Sequence, residues 1–309
     1  MKPQDVTNAP GEHALFMIFG LNSGDGVAEA VKELCGGFAA IPRSLRNRFP
    51  TSGMSCLMGF GANAWTRLFP DLSRPAELAV FEEIKGDKHT APSTPGDLFF
   101  HIRGARLDAC HEAASIIRTT LGDAVYHIDE VQGFRYLDGR AIIGFVDGTE
   151  NPEEDERQEF AVIGDEDPDF TGGSYAFVQK YLHDMRFWNA LSTEDQEKAI
   201  GRRKYNDQEL DDETKPENAH NAVTNIKDDN GNELKIVRAN MPFANPTKNE
   251  FGTYFIGYAG TFATTRKMLE NMFLGEPRGN TDRLLDFSTA VTGTLFFVPS
   301  WEALEELAE

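Results

Sequence analysis

Asp97-Leu98-Phe99-Phe100-His101-Ile102-Arg103-Gly104 (DLFFHIRG) is an apolar run of strand length that ends on glycine and leads into a helical pattern. There Leu107, Cys110, Ala114, Ile117 and Leu121 recur at spacings of three and four, the period of a helix with one buried face. Late in the chain, Gly252–Gly260 (GTYFIGYAG) repeats the arrangement, with Phe262, Thr265, Leu269 and Met272 on one face of the helix that follows. The two segments read as a weak internal repeat of strand plus helix.

Ala14–Leu21 and Met54–Phe60 also read as strands, followed by helices at Gly26–Leu34 and Ala62–Leu68. Further strands are expected at Ala124–Ile128, Ala141–Val146, Ser174–Leu182, Leu234–Phe243 and Gly293–Val298, with one or two short helices in Met185–Ile200. Asp71–Pro95, rich in Pro, Thr and charge, reads mostly as a surface loop. Strands and helices alternate with too few crossovers for a large parallel sheet. The fold class expected is therefore α+β, as two ferredoxin-like domains, each an antiparallel sheet with packed helices. Acidic and turn residues crowd in Glu150–Gly173, which puts the boundary there, with one domain over 1–150 and the other over 151–309. That acidic stretch reads as a solvated connector rather than a cation site.

At 309 residues the chain is long enough for two cores of ordinary size. A formal net charge of -20 and a pI near 4.7 exclude a nucleic-acid-binding surface, which needs clustered Lys and Arg. Cys35, Cys56 and Cys110 are far apart and odd in number, which suits buried thiols in a reducing compartment rather than disulfides or a zinc site. The N-terminal stretch lacks the features of a secretory signal, and no run of roughly eighteen apolar residues is present. A cytoplasmic location with no membrane partner is the expectation.

Among the motifs, Gly59, Gly61 and Ala64 (GFGANA) follow a strand and open a helix, as in a dinucleotide fingerprint, but the surrounding parallel strands of such a fold are missing. GFVDGTENP (Gly144–Pro152) is more informative, because the apolar run AIIGFV drives straight into Asp147. Asp-Gly is an ordinary turn dipeptide. An acid at the exit of a buried strand, however, loses part of its water shell, which suits it to accepting and returning a proton. In Lys235–Phe243 (KIVRANMPF), strand alternation puts Ile236, Arg238 and Asn240 on one face and Val237, Ala239 and Met241 on the other. An Arg and an Asn on one face line a polar pocket or a wet edge; periodicity does not separate the two. His220, in KPENAHNAV, lies in a polar loop or helix start, and on its residues alone is a minor candidate for a metal ligand. No CxxCH motif occurs, so no cofactor is attached through thioether bonds to such a motif.

Together, GFVDGTENP, GGSY (Gly172–Tyr175), WNALSTEDQEKAIGRRK, PENAH ending at His220, IVRANMPF, GTYFIGYAG and DRLLDFSTAVTGTLFFVPS resemble the dye-decolourising peroxidase family, in family order over roughly the last two-thirds of the chain. The short loops resemble its compact intracellular bacterial branch. The resemblance implies paired ferredoxin-like domains with a non-covalent haem b in the second.

It further implies His220 as the proximal iron ligand, Asp147 as the distal acid, with Gly148, Thr149 and Glu150 of the same loop as cofactor-binding residues, Arg238 as the distal arginine, and Asn240 at the distal polar position. Asp282 is implied as the acid that accepts the His220 ring N–H, with Asp286 as a rival, and Arg202 as a residue near a haem propionate. The family's GRTK reads GRRK here, so Arg203 competes with Arg202. The function implied is reduction of hydrogen peroxide and one-electron oxidation of a small-molecule donor such as a dye, phenol or porphyrinogen, by a homodimer or larger homo-oligomer. A haem-handling protein with incidental peroxidation is the alternative, and a haem-free interaction scaffold a second. Trp65, Trp188 and Trp301 are electron-relay candidates by residue type only, against ordinary packing roles.

Overall fold

The computed structural model describes all 309 residues. The first half runs β1 (His13–Leu21), α1 (Val27–Gly37), α2 (Ala40–Arg48), β2 (Ser55–Gly61), α3 (Ala62–Leu68), a small hairpin of β3 (Ile84–Lys85) and β4 (Thr90–Ala91), β5 (Leu98–Gly104), α4 (Leu107–Leu121) and β6 (Val125–Phe134). The second half runs α5 (Arg157–Ala161), β7 (Ser174–His183), α6 (Met185–Ala190), α7 (Thr193–Ile200), α8 (His220–Thr224), a hairpin of β8 (Ile226–Lys227) and β9 (Glu233–Leu234), β10 (Val237–Arg238), β11 (Met241–Asn245), β12 (Glu250–Ala259), α9 (Phe262–Leu274), β13 (Ser288–Ala290), β14 (Thr294–Val298) and α10 (Trp301–Glu306).

In each half the main strands are antiparallel and carry the ferredoxin-like order. β6-β1-β5-β2 in the first is matched by β14-β7-β12-β10 in the second, with β11 continuing the line of β10 along β12. The edges β2 and β14 pair with each other (Phe296 with Gly61, Phe297 with Phe60), so the two sheets form one continuous ladder. The fold is α+β, as the strand and helix pattern predicts.

Strand alternation builds two cores. In DLFFHIRG, Leu98, Phe100 and Ile102 face the helices, in a cluster with Ala114, Ile117 and Leu121 of α4. Phe99 faces the other way and packs with Phe16, Val131, Tyr254, Ile256 and Tyr258, strand residues from both halves. The Phe16 ring stacks on His101 and on Tyr254, with centroids 4.5 and 4.1 Å apart.

Three expectations need correction. Ala141–Val146 is not a strand but a tight loop, closed by Ala141 N–H to Phe145 O (2.9 Å) and Gly144 N–H to Ala141 O (2.8 Å), with Gly144 at φ +95°. Its apolar side chains gain burial without a sheet, since Ile143 and Phe145 pack with Trp188, Ala199, Ile200 and Phe287. Asp147 therefore leaves a turn, not a strand. The expected strand Leu234–Phe243 is broken twice. Leu234 pairs with Ile226 in the β8–β9 hairpin, and Lys235–Ile236 separate it from β10. A second break falls at Ala239–Asn240, where the Asn240 side-chain oxygen accepts the Ile256 N–H at 3.1 Å in place of a backbone carbonyl. Asp71–Pro95 is more than a surface loop, because it buries Leu78, Phe81, Ile84 and Ala91 in the helix-side core. Its Glu77 accepts hydrogen bonds from Thr261 Oγ1 (2.6 Å) and Ala263 N–H (2.8 Å) at the start of α9, tying the first half to the second.

Candidate haem site

One cavity enclosing about 1000 Å3, its open mouth included, lies in the second half and is walled mainly by apolar side chains, among them Ile143, Phe145, Ile200, Phe255, Leu269 and Met272. His220, Asp147, Arg238 and Asn240 all line it. Segments far apart in sequence thus converge, which no local pattern reveals.

His220 is the first residue of α8, and its Nδ1 lies 2.6 Å from Asp282 Oδ2. Asp282 is fully buried, and its second oxygen accepts the Leu284 N–H at 2.8 Å. The carboxylate is therefore fixed, and it fixes the imidazole with Nε2 as the free nitrogen. Asp286, the rival partner, is half exposed and lies 3.3 Å from His89 Nε2 instead.

Arg238 sits on β10 at the end of the sheet. Burial pulls its pKa down, while Asp147 and then Glu150 act in the opposite sense. Its side chain makes no hydrogen bond within the chain, and the buried Nε lacks a partner. Asn240 donates from Nδ2 to Asp147 Oδ1 at 3.2 Å. The alternation expected for this segment holds despite the break in the strand: Ile236, Arg238 and Asn240 face the cavity, whereas Val237, Ala239 and Met241 are buried between the sheets.

Gly148, Thr149 and Glu150 do not line the main cavity. Thr149 Oγ1 donates to Asp207 Oδ2 at 2.6 Å, and Gly148 turns the chain at φ +85°. Glu150 lines an adjoining smaller pocket that shares Thr224, Ile236, Arg238 and Met268 with the main one. Arg202 pairs with Glu150 and donates to Asp207 O at 2.8 Å. Arg203 turns away, its Nη1 reaching Glu197 Oε2 at 2.8 Å. Between the two arginines, Arg202 is the one directed toward the Arg238 side.

The sequence reading missed a polar corner of the wall. His183, at the end of β7, hydrogen-bonds Ser288 Oγ (2.7 Å) and Thr253 Oγ1 (2.9 Å), and all three line the cavity. Burial lowers the His183 pKa to about 4, so the ring is neutral. Its strand was expected to stop one residue earlier, at Leu182. Asn151, expected only as a turn residue, exchanges two hydrogen bonds with the Arg238 backbone through its side-chain amide. Trp188 is fully buried against Phe145 and Phe287, with Nε1 donating to Ile143 O at 2.9 Å, a packing role.

Paired ferredoxin-like halves and an apolar cavity headed by a carboxylate-held histidine define a protein built for a large flat metal-bearing cofactor. Residues 3–135 match the family described as Dyp-type peroxidase, N-terminal, and residues 138–303 match Dyp-type peroxidase, C-terminal. The chain belongs to the Dyp-type peroxidase family. It is 49% identical over 304 residues to a dye-decolorizing peroxidase of Rhodococcus erythropolis, covering 98% of this chain and 88% of that one. It is 52% identical over 307 residues to one from Brevibacterium linens, covering 98% and 82%. The crystal structure of a dye-decolorizing peroxidase from Bacteroides thetaiotaomicron superimposes with a TM-score of 0.97 at 64% identity, over 100% of this chain and 99% of that one. A DypB variant from Rhodococcus jostii in complex with heme superimposes with a TM-score of 0.96 at 50% identity, over 99% of each chain.

Proposed function

We propose that this chain is a haem-dependent peroxidase that reduces hydrogen peroxide and oxidises a small-molecule donor in one-electron steps. One observation carries the reading: the cavity that holds His220, with its ring bound to Asp282, also presents Asp147, Arg238 and Asn240. The donor set fits haem b. The walls are apolar, one imidazole nitrogen is free for iron, and the adjoining pocket is lined by Lys235 and Arg238, with Arg202 ion-paired to its Glu150, cations that would hold the propionates. When bound, haem supplies the iron at which peroxide is cleaved and the oxidising equivalents that the donor consumes.

The chain's own residues do the rest. Asp282, as a carboxylate, accepts the His220 N–H and makes the imidazole a stronger electron donor. Asn240 engages Asp147 Oδ1 and leaves Oδ2 free to take a proton from one peroxide oxygen and return it to the other. Arg238 places a fixed cation where negative charge develops, and shielding from water strengthens that effect.

The same reading carries a cytoplasmic, homo-oligomeric protein. Free, buried Cys35, Cys56 and Cys110 suit a reducing compartment, and burial pushes the Cys35 and Cys110 thiols up to about 12, which protects them from the protein's own substrate. The test is the visible spectrum of the haem-reconstituted protein before and after stoichiometric peroxide, with sedimentation velocity on the same sample. A Soret band that His220→Ala abolishes, and that peroxide shifts and a phenolic donor restores, is expected. Haem bound with no peroxide response favours the haem-handling alternative; no Soret band at all sinks both.

A further inference from the structure

Arg238 aims a guanidinium at the cavity with no side-chain hydrogen bond of its own, so its placement comes from its backbone. That backbone lies in β10, a two-residue strand at the end of the sheet, paired on one side only, with Gly257 of β12. An edge strand leaves one row of N–H and C=O groups without a strand partner. At Arg238 both groups are met by one side chain. The Arg238 N–H donates to Asn151 Oδ1 at 2.8 Å, and Asn151 Nδ2 donates to Arg238 O at 2.9 Å. A primary amide presents a donor and an acceptor side by side in one plane, as a neighbouring strand's peptide does. Asn151 therefore stands in for a missing strand.

Asn151 belongs to the turn that carries Asp147. Its N–H closes the turn onto Gly148 O at 3.0 Å, and the Asp147 N–H is held by Gly139 O at 3.1 Å. The arrangement is reciprocal. Asn240, two residues past Arg238, holds the Asp147 carboxylate while its own oxygen accepts the Ile256 N–H of β12. Each member of the Asp147/Arg238 pair is thus gripped by an asparagine from the other's segment.

We propose that Asn151 is a positioning residue for peroxide cleavage, acting through Arg238 by fixing its backbone against the Asp147 turn. This rests on the peroxidase reading above. Alanine removes both hydrogen bonds. Aspartate keeps an acceptor for the Arg238 N–H but leaves the Arg238 carbonyl without its donor and adds a charge. A small misplacement of a catalytic group costs on the order of 100-fold in rate, so losing the amide is expected to slow the peroxide step by about 10- to 100-fold.

The experiment uses the haem-loaded protein and compares Asn151→Ala, Asn151→Asp, Arg238→Leu and the Asn151→Ala/Arg238→Leu double variant. The readouts are the stopped-flow rate of the peroxide-induced Soret change, the ferric Soret band beforehand, and hydrogen exchange of the segment containing Arg238. Both single Asn151 variants should keep the ferric band and slow the peroxide step, while exchange at Arg238 speeds up in Asn151→Ala, which loses the acceptor of that N–H, and not in Asn151→Asp, which keeps it. In the Arg238→Leu background the Asn151 change should slow the peroxide step no further, because its effect runs through the missing guanidinium. A full additional loss in that background shows a general structural role and overturns the proposal, as does an unchanged rate in both single variants. If Asn151→Ala fails to fold, Asn151→Asp and the Asn151→Asp/Arg238→Leu double variant carry the comparison. An Arg238→Leu protein with an unaltered peroxide rate instead overturns the role of Arg238, and the proposal with it, even where the exchange data show the clamp.

Discussion

The His101 ring nitrogen Nδ1 and the Tyr258 hydroxyl are 2.8 Å apart, a hydrogen bond between the two strands that repeat each other in the two halves. Both residues are fully buried. Burial holds the His101 pKa well below its usual value, with Arg103 acting in the same direction, so the imidazole is neutral. His101 Nε2 has no partner, which makes the Tyr258 contact the ring's one hydrogen bond.

Removing the Tyr258 hydroxyl strands a buried polar atom. Tyr258→Phe is expected to cost about 1–3 kcal/mol, the desolvation penalty of a buried group left unpaired. The hydroxyl lies between the sheets and not in the cavity wall, so the haem spectrum should be unaltered. Urea unfolding gives the first quantity and a Soret titration the second. A variant as stable as the parent contradicts the assignment of that bond as a fastening between the halves.

Asp282 acts on His220 through charge as well as geometry. Asp282→Asn keeps a polar side chain of the same shape but removes the carboxylate, and loss of such a partner typically costs 10- to 100-fold in metal affinity or activity. The expected result is a haem-binding protein whose Soret response to peroxide is slowed by about that factor. Asp286→Asn is the control, since that side chain is half exposed and reaches His89. Equal effects from the two substitutions would falsify the assignment of Asp282.

Much of the fold was legible because alternation and helical period are local. The faces of DLFFHIRG, of α4 and of the Arg238 strand all follow from spacing. AIIGFV misled because its apolar residues are satisfied by Trp188 and α7, a tertiary contact that periodicity does not encode, while Gly144 turns the backbone. Within the site, Arg238 and Asn240 were readable as a shared face. His220 was not: a single histidine in a polar stretch gains meaning only when Asp282, 62 residues on, is folded against it. Asn151 was hidden for a related reason, since its amide meets a backbone 87 residues away while its sequence neighbours announce only a turn.

Gly201 gives a prediction about how the Arg202 segment is set against the His220 helix. It has φ +91°, and an added Cβ would lie 1.7 Å from Asn221 Oδ1, next to His220. Gly201→Ala combines backbone strain, of order 1–3 kcal/mol, with displacement of Asn221. It should therefore lower both stability and haem affinity. Gly279→Ala, at φ +94° with nothing within 4 Å, carries the backbone cost alone and should leave haem affinity unchanged. Haem transfer to a competing apoprotein measures the difference. Equal haem loss from the two variants would show that the Asn221 contact does not matter.

His183 predicts how stability changes with pH. Burial lowers its pKa from the usual 6.5 to about 4. As pH falls through about 6.5 the unfolded chain takes up a proton at this ring while the folded protein does not, down to about pH 4. Stability is therefore fully present above that window, falls across it and levels off below. A shift of this size corresponds to about 3 kcal/mol in all, of which about 2 kcal/mol is lost between pH 7 and pH 5. Buried His101 adds loss of the same sign, so the useful comparison is between the parent and His183→Gln, with urea unfolding at both pH values. The variant should lose less stability than the parent on acidification, by up to that amount. Identical losses would mean that His183 titrates alike in the folded and unfolded chain, and that the hydroxyls of Ser288 and Thr253 hold the charged ring as readily as the neutral one.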